Sequence, residues 1–285
     1  MTVRRAKTAG FCMGVDLALR KLDQLLQEQD SNVPIYTFGP LIHNPQVLAH
    51  YASRGVRRTE DPEAIEPGAI VLIRAHGIPR TVDERLAARG LTVADATCPK
   101  VKKAQRLIAK EADKGGILLL YGEEAHPEVR GLLSHASHGA IVFDSLDELK
   151  GHALYPSDSY FLAAQTTQDE AEFERIRDYL FETLGQEITV LHTICDATQR
   201  RQEEAIAIAR DVDFMVVAGG RDSGNTRRLV KVAEAQGVPC VHVETVEELP
   251  LEKMRGKARI GLTAGASTPK TIIDAVESII ASISS

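Results

Sequence analysis

A local pattern that opens on a cysteine occurs three times, about a third of the chain apart, and it constrains the fold to three equivalent units. The cysteines are Cys12 in GFCMGV, Cys98 in DATCPKV and Cys195 in TICDATQ. Each ends a short apolar run and leads into a helical stretch: Val15–Gln29, Val101–Lys114 and Thr198–Asp211. A short apolar strand follows (PIYTF, GILLLY, FMVVAG), ending at Gly39, Gly122 and Gly219, and four residues further stand His43, His126 and Ser223. Another helical stretch and a second strand come next: AIVLIRAHG, SYFLAAQTT and ARIGLTAGAST. In the first two thirds a last helix leads through LTVADAT and ITVLHTI to the next cysteine.

The third repeat stops at its helix, TIIDAVESIIASI, and residues 2–11 at the other end of the chain supply the missing strand. Strands alternating with helices favour parallel sheets with right-handed crossovers, and such sheets bind ligands beyond the carboxyl ends of their strands. The expectation is an α/β protein of three pseudo-equivalent units with small parallel sheets, arranged as a trefoil around a central metal cluster. The units are 13–97, 98–194, and 195–285 completed by residues 1–12.

Composition narrows the function classes. Tryptophan is absent and aromatics are 5% of residues, so stacking platforms for single-stranded nucleic acid are not expected. A net charge of −6 argues against nucleic acid or an acidic membrane surface as partner. The N-terminal MTVRRAKTAGFC lacks the apolar core of a signal peptide, and no run reaches membrane-spanning length. Four cysteines in that context suit a reducing cytoplasm, as ligands or core residues rather than disulfides.

A thiol at a helix start is stabilised as thiolate by free backbone N–H groups and the helix dipole. One such cysteine reads as a buried structural thiol; three in matched positions read as ligands. Structural zinc needs a fourth protein ligand, so a 4Fe–4S cluster with one open iron fits three thiolates better. Cys240, in VPCVHV, has no counterpart and is read as a strand core residue. The strand ends add His43-Asn44, His76-Gly77, His126-Pro127-Glu128, Thr166-Thr167, Ser223-Gly224-Asn225 and Ser267. Imidazoles, hydroxyls, an amide and glycine-freed N–H groups suit a phosphate-type anion. No Walker lysine pattern or GxGxxG is present, which sets aside the usual nucleotide sites. Glu128 is the only acid among these repeat-equivalent positions, and a carboxyl in a partly dry pocket has a raised pKa and can deliver a proton. Glu123, Glu124 and Asp222 read as solvated loop charges.

Together GFCMGV, HNPQV, RAHG, DATCP, HPEV, QTT, TICDAT, SGNTRRL and TAGAST, in order from residue 10 to residue 268, resemble the 4-hydroxy-3-methylbut-2-enyl diphosphate reductases. The resemblance implies three α/β domains around a 4Fe–4S cluster with one open iron. It implies removal of an allylic hydroxyl with two electrons and two protons, giving isopentenyl and dimethylallyl diphosphate plus water in the last step of the non-mevalonate pathway. By motif, Cys12, Cys98 and Cys195 hold the cluster. Glu128 supplies protons with Thr166 or Thr167, influenced by His126. His43, His76, His126, Ser223, Asn225 and Ser267 bind the diphosphate. A ferredoxin or flavodoxin is the implied electron donor.

One departure stands out: many family members have two serines before the asparagine, whereas here Gly224 follows Ser223. A backbone N–H made accessible by glycine can take the place of the missing hydroxyl, so the expected effect is on substrate affinity. Quinolinate synthase shares the three-domain, three-cysteine architecture but performs a non-redox dehydration, for which the HPEV and SGN…AGAST segments are not required. A non-enzymatic iron–sulfur regulator leaves the acid beside the phosphate nest unexplained, and no basic helix-turn-helix is evident.

Overall fold

A computed structural model describes residues 1–29, 33–185 and 188–283. The chain begins with β1 (Thr2–Arg5), α1 (Met13–Glu28), β2 (Ile35–Phe38), α2 (Pro45–Ser53), β3 (Arg57–Thr59), β4 (Ile70–Ile73), α3 (Arg80–Ala88) and β5 (Thr92–Asp95). Its middle holds α4 (Pro99–Ala112), β6 (Ile117–Tyr121), α5 (Pro127–Leu133), β7 (Ala140–Phe143), α6 (Leu146–Lys150), β8 (Tyr160–Ala164), α7 (Glu170–Leu184) and β9 (Thr189–Val190). It ends with α8 (Asp196–Ala209), β10 (Phe214–Ala218), α9 (Gly224–Glu234), β11 (Cys240–Val243), α10 (Leu251–Met254), β12 (Arg259–Ala264) and α11 (Lys270–Ser282). Two compact units divide these elements: residues 1–16, 42–51 and 196–285, and residues 17–41 and 52–195.

The strands form three four-stranded sheets, β3-β2-β4-β5, β7-β6-β8-β9 and β11-β10-β12-β1, and every pairing is parallel. The order is the same each time. The chain steps from an inner strand to one edge, returns on the other side as the second inner strand, then adds the far edge. In the third sheet that far edge is the N-terminal strand, with Thr2 opposite Arg259 and Arg5 opposite Leu262.

Alternation along a strand explains the layering. Leu118 and Leu120 of β6 join Phe161 and Ala163 of β8 against Ala104, Ile108 and Ala112 of α4. Leu119 and Tyr121 face the other way, with Leu162 and Ala164, against Phe173, Ile176, Leu180 and Leu184 of α7. Both faces are covered, so these strands read as unbroken apolar runs. Val101, Ala104, Ile108 and Ala112 make the helical stripe that buries α4. Each fully buried leucine or isoleucine here contributes roughly 1.5–3 kcal/mol relative to exposure. The third sheet repeats the scheme, with Phe214, Val216 and Ala218 of β10 packed with Ile273, Val276 and Ile280 of α11.

The repeat pattern has to be amended in one respect. β3 and β7 are strands in addition to those read from the sequence, and β11, read only as the setting of Cys240, is their counterpart. These outer strands are short and half-exposed, RRT, AIVF and CVHV, and only AIVF is apolar throughout. Cys240 packs against the core as expected, and burial first of all pushes its thiol up to about 12.

Candidate functional site

Strand order places the candidate residues. In each sheet the chain leaves the first inner strand for one edge and the second inner strand for the other, which makes a switch point between β2 and β4, β6 and β8, and β10 and β12. Crevices at such points, beyond the carboxyl ends, are where open α/β sheets bind ligands. His43, His126 and Ser223 each stand five residues past the first inner strand, and His76, Thr167 and Ser267 three past the second.

The cysteines follow the far-edge strands, and one bond recurs at all three. The amide of Cys98 donates to Ala75 O at 2.9 Å, that of Cys195 to Thr166 O at 2.9 Å and that of Cys12 to Ala266 O at 3.1 Å. Ala75, Thr166 and Ala266 are each two residues beyond β4, β8 and β12. The equivalence seen in sequence thus extends to a shared backbone hydrogen bond. Each thiol is half-buried at the start of α1, α4 or α8, and no disulfide forms among the described residues. An all-thiolate donor set at helix N-termini fits a soft iron–sulfur group.

Past β6, His126 caps α5: its Nδ1 accepts from the Glu128 amide at 3.1 Å, which in the neutral ring leaves the proton on Nε2. The His76 and His126 rings meet edge to face with centroids 5.3 Å apart. Glu128, 1% exposed, accepts from the Thr166 amide at 2.6 Å through Oε1 and from the Thr166 hydroxyl at 3.0 Å through Oε2. Burial outweighs these two bonds and pushes its carboxyl up to about 7. Thr167 has a different task, accepting from Gln165 Nε2 at 3.2 Å, while Gln165 Oε1 takes the Glu123 amide at 3.1 Å. Gln165 is therefore the holder of this loop, a role no sequence pattern marks.

Past β10, Ser223 caps α9 by accepting from the Thr226 amide at 3.3 Å, which leaves its own hydrogen available. Gly224 is the first residue of that helix. Asn225, 4% exposed, accepts from the Ala266 amide at 2.9 Å through Oδ1. Its Nδ2 is buried with no hydrogen-bond partner among the described residues. Ser267 gives its hydroxyl hydrogen to His43 O at 3.0 Å. The same carbonyl lies 2.3 Å from where a Cβ on Gly220 would stand, so only glycine lets this backbone approach occur. Asn44 caps the start of α2 by accepting from the Val47 amide at 3.0 Å.

Glu123 is half-buried, while Glu124 and Asp222 are exposed, in keeping with loop charges. No helix among the described residues is long and apolar enough to cross a membrane.

Comparison with known proteins gives one consistent result. The profile of the LytB protein family matches residues 3–281. A 4-hydroxy-3-methylbut-2-enyl diphosphate reductase of Nitratidesulfovibrio vulgaris (strain DSM 19637 / Miyazaki F) is 61% identical over 283 residues, 99% of this chain and 100% of its own. Among solved structures, the E-1-hydroxy-2-methyl-but-2-enyl-4-diphosphate reductase of Plasmodium falciparum superposes with a TM-score of 0.91 at 27% identity, covering 97% of this chain and 87% of that one. A second solved structure, of an (E)-4-hydroxy-3-methyl-but-2-enyl diphosphate reductase, the terminal enzyme of the non-mevalonate pathway, has a TM-score of 0.69 at 38% identity over 99% of this chain and 100% of that one.

Proposed function

The chain belongs to the LytB protein family and is an oxidoreductase, and on that premise we propose that it reduces 4-hydroxy-3-methylbut-2-enyl diphosphate. The reaction takes two electrons and two protons, expels the allylic hydroxyl as water and yields isopentenyl and dimethylallyl diphosphate. It is the last step of the non-mevalonate pathway. The observation that carries this reading is a matched pair of bonds: Glu128 to the Thr166 amide at 2.6 Å, Asn225 to the Ala266 amide at 2.9 Å. One position is equipped for proton transfer, its counterpart for holding an anion.

Cys12, Cys98 and Cys195 would hold a 4Fe–4S cluster. When bound, the cluster supplies the electrons and a Lewis-acidic iron for the departing hydroxyl. The chain's own groups do the rest. Glu128, whose carboxyl burial pushes up to about 7, keeps a protonated fraction at neutral pH and donates that proton toward the departing oxygen. The Thr166 hydroxyl, on Glu128 Oε2, orients that acid. His126, with Nδ1 occupied by the Glu128 amide, presents Nε2–H and influences delivery. His76 packs on His126 and, with it, contributes donors to the diphosphate.

The remaining diphosphate donors are His43, the Ser223 hydroxyl, the backbone N–H of Gly224 at the first turn of α9, and Asn225 Nδ2, the buried amide without a partner among the described residues. Ser267 in this arrangement positions the His43 loop, and it contributes a donor of its own when its hydroxyl rotates away from that carbonyl. We further propose the three-unit division 13–97, 98–194 and 195–285 with 1–12, each part containing one of the three sheets, a reducing cytoplasmic setting, and a ferredoxin or flavodoxin as electron donor.

The test is a strictly anaerobic assay of cluster-loaded protein with the hydroxylated allylic diphosphate and a reduced viologen dye. Dye oxidation with both products formed is the expected result. An intact cluster without substrate-dependent oxidation overturns the reading in favour of a non-redox dehydration.

A further inference from the structure

Residues 6–12, between β1 and α1, have no regular secondary structure, yet they carry the thiol of Cys12. Two side chains one turn apart on α8 hold this segment. The Glu204 carboxylate accepts from the Lys7 amide at 2.8 Å, the Thr8 amide at 2.8 Å and the Thr8 hydroxyl at 2.6 Å. The Arg201 guanidinium, on a residue 5% exposed, donates to Gly10 O at 2.6 Å. Burial alone would push the Glu204 carboxyl up, but the bonds from Thr8 and Lys7 outweigh it and hold the group below its ordinary value. Gly10 has φ +109°, a left-handed backbone that turns the chain toward Cys12 two residues later.

A related tie recurs elsewhere. Lys21, on the helix that follows Cys12, donates to Asp95 O at 2.8 Å, three residues before Cys98. Glu204 stands nine residues after Cys195 and Lys21 nine after Cys12, so in both cases the helix behind one cysteine grips the approach to another. The approach to Cys195 is held differently: the Thr193 hydroxyl donates to Ala164 O at 2.6 Å and accepts from the Ala164 amide at 2.8 Å.

We propose that Arg201 and Glu204 are positioning residues for Cys12, clamping residues 7–10 to α8 so that the thiol is presented in one orientation. The proposal rests on the reading of Cys12 as a cluster ligand. Neither side chain is assigned contact with substrate or with the cluster. Together the two groups make four hydrogen bonds to this segment, all with a charged partner, the class of bond whose loss most loosens a local structure.

The test uses the full chain without its cluster and follows alkylation of each cysteine by iodoacetamide with mass spectrometry. The variants are Arg201→Met, Glu204→Gln and, as a control, Arg200→Met, which removes the same charge from an exposed position on the same helix. In Arg201→Met and Glu204→Gln, Cys12 should react at least about tenfold faster, with Cys98 and Cys195 unchanged. Arg200→Met should match the parent, and Arg201→Lys should restore most of the slow rate. Unchanged Cys12 reactivity in both clamp variants overturns the proposal, and so does a parallel rise at all three cysteines, which signals general loosening. Amide exchange in the parent protein tests the clamp without any substitution: Lys7 and Thr8 should be protected despite lying outside helix and strand, and fast exchange there overturns it. Iron content of the reconstituted parent separates the two ideas, because a parent that binds no iron removes Cys12 as a ligand while the alkylation comparison still judges the clamp.

Discussion

At the end of β8 the Thr166 amide donates to Glu128, and at the end of β12 the Ala266 amide donates to Asn225. Glu128 stands two residues after His126 and Asn225 two after Ser223, so the acceptors occupy equivalent places in their repeats. The difference between the two ends is chemical. Thr166 brings a hydroxyl that satisfies the second oxygen of Glu128, whereas Ala266 brings none, and Asn225 Nδ2 is left buried without a partner among the described residues. A neutral amide thus performs the structural half of the task, which means that an ionisable acid is not needed to hold such a loop. On the proposed function the carboxyl at 128 is kept for its proton, at a cost in stability once it must ionise. The amide at 225, unsatisfied among the described residues, carries a similar cost and, on the proposed function, offers a donor to an anion's oxygen.

The largest effect should come from the element the two ends share. Cys195→Ser and Cys12→Ser should each lose the iron and with it all measurable turnover, read by iron analysis and visible absorption. Full iron in either variant would show that the common amide bond serves the backbone alone. Glu128→Gln should lower turnover by about a hundredfold or more while leaving the absorption intact. Its thermal midpoint should not fall, because Asn225 already shows an amide in this role; a marked drop would break the equivalence between the two ends. Asn225→Asp places a negative charge where the anion donor stands, and should raise KM by roughly ten- to a hundredfold with little change in kcat. A pure kcat defect would move Asn225 from binding to chemistry.

The pH dependence should separate the ends further. Folding raises the Glu128 pKa to about 7, so the folded state keeps a proton that the unfolded chain has released. Its contribution to stability is complete below the unfolded value and is lost as pH rises through about 7. Glu128→Gln cannot ionise, and its stability relative to the parent should rise by on the order of 3 kcal/mol between about pH 5 and pH 8, measured by urea unfolding. Parallel stability curves for the two proteins would refute the raised pKa. Parent turnover should fall over the same range as the acid form disappears. The smallest effect belongs to Gly224→Ser, where an added hydroxyl should change KM by roughly threefold or less at unchanged kcat, since a backbone N–H already serves there. A large gain in turnover at saturating substrate would show that Gly224 limits the chemistry.

Much of this was legible in the residues themselves. The cysteine repeat, the helix starts behind it and the inner strands are periodic, local signals, and both faces of the inner strands are covered, so their apolar runs are uninterrupted. The outer strands β3 and β11 were harder to read because an edge half-exposed to solvent keeps charged and polar residues, as in RRT, and the apolar AIVF of β7 is only four residues long. Ser267 was legible as a residue of a pocket but not as the group that holds the His43 carbonyl, and Gln165, which holds Thr167 and Glu123, was legible only as part of a strand end.

The sequence by itself determined that one pattern recurs three times, which residues recur at its strand ends and that one of those residues is an acid. Only the tertiary structure decided what each of them touches. Glu128 meets Thr166 across 38 residues, Asn225 meets Ala266 across 41, and Arg201 meets Gly10 across 191. Periodicity reports the face of an element, and a hydrogen bond depends on ångström-scale distance between elements that are remote along the chain. Whether Glu128 is a solvated carboxylate or a buried acid is settled by that packing, because burial and bonding, not residue type, set its pKa.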